Sequence, residues 1–310
     1  MKQLAVAASL VWALLAGGVH AQDRTVRLVV PVPAGGSLDM LARGLATKLS
    51  TPGGETWVVD NRPGAETMIG SEAVARAPAD GRTVLLAGST LVLAPLTRRV
   101  NFSPVDELRP VVQLSYSNYL LVVPAESRIA SAADVASAAA SRPGGLNCGA
   151  PPGPMALACT QLGARLGGKV TPIPFAGVAP AVTATLGGHV DILFVSAESA
   201  VKLVEAGKLR VLAGSSPGIV GTHPVFPDVW PGFLMDGFIG LFVPAATPPD
   251  EVKRLNAAAN HALNDPALAA AMHDAGQEPV GGTQEQFASH MQRTQALYAD
   301  LIRKLGLGPR

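Results

Sequence analysis

Short apolar runs recur along this chain with shared punctuation, led in by a glycine and closed by glycine or serine. The fullest are Gly81-Arg82-Thr83-Val84-Leu85-Leu86-Ala87-Gly88-Ser89 and Gly207-Lys208-Leu209-Arg210-Val211-Leu212-Ala213-Gly214-Ser215, with Gly188-His189-Val190-Asp191-Ile192-Leu193-Phe194 as a third copy. Strands this apolar on both faces belong in sheets covered by helices on either side, which predicts an α/β class with largely parallel sheets. No fixed period links the copies, so they are shared βα punctuation and not a solenoid repeat. Residues 24–32 form a further strand that breaks at Pro33-Ala34-Gly35-Gly36-Ser37. Leu38, Leu41, Leu45 and Leu49 follow at helical spacing, with Ser37 placed as N-cap and Asp39 in the first turn.

The first residues bear on compartment. Lys2 precedes an apolar run over 4–19 that ends in Val19-His20-Ala21. This reads as a secretory signal peptide over 1–21, cleaved after Ala21, and so as a periplasmic mature protein. The alternative, an uncleaved tether, suits so short a run less well. Losing Lys2 leaves 23 basic residues against 23 acidic ones. A net charge near zero argues against nucleic acid as a partner. The two cysteines, Cys148 and Cys159, are close in sequence, and an exported pair is expected to oxidise to one disulfide, with two buried thiols as the alternative.

The remaining length exceeds the size at which single cores usually divide. Leu120-Leu121-Val122-Val123-Pro124 and Gly240-Leu241-Phe242-Val243-Pro244 end alike and are read as the two crossings between lobes. Lobe one then comprises 22–122 plus 242–310, and lobe two 123–241. The other reading makes both runs ordinary strands ending at a helix-starting proline. Residues 248–305 are expected to form three helices, with Asp250, Asp265 and Thr283 as start signals, packed on lobe one.

With these runs in order along one exported chain, a wider pattern emerges. It includes Arg27-Leu28-Val29-Val30-Pro31 with the glycine loop, Val58-Val59-Asp60-Asn61-Arg62-Pro63-Gly64-Ala65, Leu186-Gly187-Gly188-His189-Val190-Asp191, Glu205-Ala206-Gly207-Lys208-Leu209-Arg210 and Glu278-Pro279-Val280-Gly281-Gly282-Thr283. The chain resembles the Bug family, the TctC-like substrate-binding receptors of tripartite tricarboxylate transporters. The resemblance implies a two-lobed periplasmic binding protein fold of type II, a small organic carboxylate as ligand, and membrane subunits of the transporter as partners. It also implies that the loop at 33–39 grips a carboxylate.

The residues support that loop independently, because a glycine turn feeding a helix start offers backbone N–H groups that have no helical partner. Gly35, Gly36 and Ser37 are the first candidates, while Asp39 reads as structural, since a carboxylate beside a bound anion would repel it. Ser89 and Thr90 lie at the carboxyl end of a strand, where open α/β sheets place ligands. Gly149, Ala150, Ala176, Gly177 and Ser196 hold the corresponding positions in lobe two, although Gly and Ser are equally common as turn formers.

Departures from the resemblance matter. The loop Gly149-Ala150-Pro151-Pro152-Gly153-Pro154-Met155 is stiff and poor in hydroxyls, and Leu91-Val92-Leu93-Ala94 is unusually apolar. A monocarboxylate with an apolar or aromatic portion is therefore expected in preference to citrate. Gly214-Ser215-Ser216-Pro217-Gly218 spells a serine-hydrolase elbow, but its prolines and glycines oppose the helix that an elbow needs. An enzyme is accordingly not expected. Neither is a metal or cofactor, since the six histidines are scattered and no dinucleotide fingerprint follows a strand. A ligand-presenting subunit for a sensor kinase would share every feature of a transport receptor. A monomer is expected.

Overall fold

The computed structural model describes residues 25–51, 54–218 and 220–308, so the expected signal peptide and its cleavage site lie outside the described residues. In chain order the first half holds β1 (Thr25–Val30), α1 (Ser37–Leu49), β2 (Thr56–Asn61), α2 (Met68–Ala75), β3 (Thr83–Gly88), α3 (Thr90–Thr97), α4 (Pro104–Glu107), β4 (Leu108–Tyr116) and β5 (Tyr119–Pro124). There follow α5 (Asp134–Ser141), β6 (Leu146–Ala150), α6 (Pro154–Arg165), β7 (Val170–Pro174), α7 (Val178–Leu186), β8 (Ile192–Ser196), α8 (Ala197–Glu205) and β9 (Leu209–Gly214). The chain closes with α9 (Phe226–Val229), β10 (Phe238–Pro244), α10 (Pro249–Leu263), α11 (Pro266–Asp274), β11 (Pro279–Gly281) and α12 (Gln284–Lys304).

The strands form two sheets, ordered β11-β4-β10-β3-β1-β2 and β7-β6-β8-β5-β9. In each, three strands with βα connections run parallel, namely β2, β1 and β3 in the first and β7, β6 and β8 in the second. Against them run the antiparallel strands β10 and β5. The sheets are thus mixed where largely parallel ones were expected, because β5 and β10 follow loops that reverse the chain and not crossover helices.

Alternation along the buried strands explains their all-apolar sequences. Val26, Leu28 and Val30 pack with Leu41, Leu45, Val252 and Leu255 of α1 and α10, whereas Val29 faces Phe242, Leu91 and Phe287 on the opposite side. In the second sheet Leu121 and Val123 join Phe194 and Phe233, and Leu120 and Val122 join Leu193 and Val195. The central strands of both sheets are therefore covered on both faces, as βαβ construction requires.

The transfer between sheets falls elsewhere than at the apolar runs. All of β5 pairs within the second sheet and all of β10 within the first, so Tyr119–Val122 belong with the second and Phe238–Leu241 with the first. The chain passes out at Ser117-Asn118 and back at Asp236-Gly237, and the Ser117 N–H donates to the Gly237 carbonyl at 2.9 Å. The physical reason is pairing: an apolar strand satisfies its edges in one sheet, while the polar side chains of Asn118 and Asp236 find hydrogen-bond partners within the passage.

The tail forms the three expected helices. Asp265 caps α11 through the N–H groups of Ala267 and Leu268, and Thr283 caps α12 in a reciprocal capping box with Gln286. It also supplies β11 at the edge of the first sheet. Among the described residues no helix is long and apolar enough to cross a membrane.

Cys148 and Cys159 form a disulfide, with Cα atoms 5.9 Å apart, that ties β6 to α6. Closing a loop of this length restricts the unfolded chain by roughly 2–3 kcal/mol. Reduction, or paired Cys148→Ala and Cys159→Ala substitutions, is expected to lower stability by about that amount. Urea melts of the oxidised and reduced protein would measure it, and coincident curves would contradict it.

Candidate functional site

The carboxyl ends of the parallel strands of both sheets face one another across the molecule. Each leads directly into a helix: β1 into α1, β3 into α3, β6 into α6, β7 into α7 and β8 into α8. The two halves touch at these ends. A side chain at Gly153, just before α6, would lie 2.7 Å from Thr90 Oγ1 at the start of α3. Leu157 of α6 packs in the core of the first half beside Leu91 and Val92. A Cβ at Gly276, in the first half, would rest 3.5 Å from Ala197 of α8.

The loop before α1 is the most open of these ends. Gly35 has φ of 88°, a left-handed turn that a side chain would strain. Met40 is the first residue of the helix to reach a carbonyl, that of Gly36 at 3.0 Å. The amides of Gly36, Ser37, Leu38 and Asp39 consequently have no partner among the described residues, while Pro33, Ala34, Gly35 and Gly36 are exposed. Ser37 differs from its expected role: Gly36 occupies the cap and Ser37 is the first helical residue.

Asp39 holds the loop in shape. Its carboxylate is almost fully buried and accepts from the Gly35 N–H, Arg43 Nε and Asn61 Nδ2, each at 2.9 Å. The Arg43 hydrogen bond outweighs the cost of burial and, with Gly35 and Asn61, holds the carboxyl down at about 2. These bonds tie the loop to α1 and to the end of β2. Asp39→Ala removes all three bonds, but Gly35 and Arg43 are exposed to water and Asn61 keeps the Val32 carbonyl, so it is expected to cost roughly 1–2 kcal/mol of stability. An unchanged urea midpoint would contradict this.

Ser89 is 2% exposed, and its hydroxyl lies 3.3 Å from the hydroxyls of both Tyr119 and Tyr298. Burial pushes the Tyr119 hydroxyl up to about 12 and holds that of Tyr298 well above the usual phenol range, so both remain neutral. Ser89 therefore sits behind the strand ends, while Thr90 is the residue that meets the second half. Gly149 lies within β6, where a side chain would collide with Leu193 at 2.9 Å, and Ala150 is buried beside it. Those two positions have a packing reason for being small. Ala176 is exposed and Gly177 half-buried at the start of α7, with nothing within 4 Å of a Cβ at Gly177. Ser196 occupies the cap position of α8, with its hydroxyl 3.1 Å from that of Ser199.

Sequence reasoning missed two charged residues here. One is Glu198, whose only signal was its place two residues beyond the strand end at Ser196. The other is Asp236 at the return passage. It accepts from His290 Nε2 at 3.0 Å, Thr294 Oγ1 at 2.6 Å and the Gly237 N–H at 2.9 Å, and its carbonyl accepts from the Tyr298 hydroxyl. The hydrolase-like Ser216 donates to Asn118 Oδ1 at 2.8 Å, and among the described residues no helix follows it before Phe226.

This geometry agrees with known proteins. Residues 41–307 match the profile of the tripartite tricarboxylate transporter family receptors, TctC. The chain is 34% identical over 293 residues to the "UPF0065 protein in tcbD-tcbE intergenic region" of Pseudomonas sp. strain P51, covering 90% of this chain and 86% of that one. Among solved structures, the periplasmic binding protein BugD superposes with a TM-score of 0.82 at 25% identity, covering 92% of this chain and 99% of that one. The adipate-bound Rpa4515 of R. palustris gives a TM-score of 0.82 at 28% identity, covering 92% and 98%. Two α/β halves, each with its own sheet and core, are thus the two lobes of a periplasmic binding protein, and the chain belongs to the TctC family of tripartite tricarboxylate transporter receptors.

Proposed function

We propose that the protein is a periplasmic solute-binding receptor that captures a small organic carboxylate and presents it to the membrane subunits of a tripartite transporter. The observation that carries this reading is the set of four unpartnered amides, from Gly36 to Asp39, at an exposed helix start. Such a terminus holds an anion with main-chain dipoles alone. Adipate in a relative of the same fold supports a carboxylate as the class of ligand.

Lobe one is built on the first sheet and lobe two on the second, with the hinge at 117–118 and 236–237. The anion docks on the α1 amides, and lobe two then closes. Closure is favoured only by contacts made in the shut state. Thr90 against Gly153 is a contact of that kind. The site offers no nucleophile paired to a base, so capture and release, not turnover, is its chemistry. Residues 1–21 direct export and are removed after Ala21.

The test is native mass spectrometry of protein purified from the periplasm without denaturation, followed by calorimetry with the released molecule. A retained carboxylate that rebinds with one-to-one stoichiometry is expected. A retained compound with no anionic group would overturn the reading.

A further inference from the structure

The two passages that join the lobes meet at one packed point. Tyr119 is the first residue of β5, packs in the core of lobe two, and places its hydroxyl 3.3 Å from that of Ser89 in lobe one. Ser89 also lies 3.3 Å from the hydroxyl of Tyr298, which in turn donates to the Asp236 carbonyl on the return passage. On the outward passage the Ser117 N–H donates to the Gly237 carbonyl at 2.9 Å. Gly237 completes the arrangement: a Cβ there would stand 2.8 Å from both the Ser89 and the Tyr119 hydroxyl oxygens, and 2.9 Å from the Cβ of Ser117. Ser89 and Tyr119 are both almost fully buried, so little water is at hand to replace their bond when it breaks.

Ser89 and Thr90 are adjacent at the start of α3, and lobe two meets both: Tyr119 reaches Ser89 from the hinge side, and Gly153 abuts Thr90 from the cleft side. A rotation about 117–118 and 236–237 carries Tyr119 with lobe two and leaves Ser89 with lobe one. A hydrogen bond weakens steeply once its distance and angle are lost, so the hinge-side bond and the cleft-side contact form and break together. We propose that Tyr119 is a positioning residue, whose hydroxyl on Ser89 holds lobe two at the closed angle before any ligand arrives, and that Gly237 leaves the room this bond needs. The proposal rests on the two-lobed receptor reading above and goes beyond it. The larger the fraction already closed, the tighter the apparent binding, so Tyr119 tunes capture without touching the captured molecule.

The experiment is double electron–electron resonance on the mature protein, refolded from urea with its disulfide intact to free any retained molecule. Nitroxide labels go on Lys208→Cys in lobe two and Lys253→Cys in lobe one, both exposed positions, and the native cysteines are paired with each other. Three further substitutions are compared in that background. Tyr119→Phe removes the bond between lobes, Gly237→Ala drives a methyl group between its partners, and Thr283→Ala weakens the cap of α12 without touching either passage. The otherwise wild-type protein is expected to show mainly the closed distance. In Tyr119→Phe and Gly237→Ala the ratio of closed to open should fall roughly 5-fold, the worth of one hydrogen bond between neutral groups, while Thr283→Ala keeps the wild-type ratio. Should Gly237→Ala fail to fold, Tyr119→Phe alone decides. An open population present in every protein but unchanged by Tyr119→Phe, or a shift of equal size in Thr283→Ala, overturns the proposal and leaves the receptor reading standing. A single unchanging distance in every protein overturns both the proposal and the hinged capture on which it rests.

Discussion

Gly36→Val is expected to reduce ligand affinity by at least about 100-fold while the protein stays folded. The backbone at Gly36 has φ of −81°, which any residue adopts, and a Cβ there would find only the Pro33 carbonyl at 3.9 Å. The substitution therefore introduces neither strain nor a clash. Valine is a poorer cap than glycine and should cost about 1 kcal/mol, which lowers the melting temperature by only a few degrees in a protein of this size. The two methyl groups it adds stand at the mouth of the amide cluster and hinder the close approach that a main-chain anion site requires. Melting curves and calorimetry on the same samples would separate the effects. Affinity equal to the wild type would remove the loop from the binding site.

Asp236→Ala should produce the largest loss of stability, about 3 kcal/mol. The carboxylate joins the return passage to α12, and its removal leaves His290 Nε2 and Thr294 Oγ1 facing a gap. On its other side the His290 ring is held, with Nδ1 2.8 Å from Gln113 Oε1. The urea midpoint should fall with an unchanged slope. Burial raises the Asp236 carboxyl, but the His290 and Thr294 hydrogen bonds outweigh it and hold the group below the usual carboxylate range. A carboxyl depressed in the folded state contributes stability that is complete above its unfolded value and is lost as pH falls through the folded value. Asp236 and Asp39 together should thus give acid destabilisation that begins below about pH 4. Asp236→Asn should flatten part of that slope. An acid titration identical to the wild type would show that the latch carries no such energy.

Much of the fold was legible because its signals are local. Strands apolar on both faces imply covered sheets, and capping residues such as Asp265 and Thr283 mark helix starts whatever the surroundings. The antiparallel course of β5 and β10 was not legible, since strand direction is decided by partners distant in sequence. The transfer points were misplaced by a few residues for a related reason: the apolar runs drew the reading, while the passage lies in the short polar pairs beside them.

The candidate site was legible at its glycine loop, where an unpaired helix start is encoded in a few adjacent residues. It was opaque wherever a role depends on contact between lobes. Ser37 reads as a cap in sequence, yet Gly36 takes that position and Ser37 is the first residue of the helix. Ser89 reads as an open strand-end hydroxyl, yet two buried tyrosines enclose it.

The central claim is that main-chain amides at the start of α1 receive the anion. Amide hydrogen exchange followed by NMR, with and without a saturating carboxylate, reads those groups directly. Slowed exchange and large shifts confined to Gly36, Ser37, Leu38 and Asp39 and to the facing lobe-two helix starts are the expected result. Saturation of the protein with those four amides still exchanging as in the free state would contradict it.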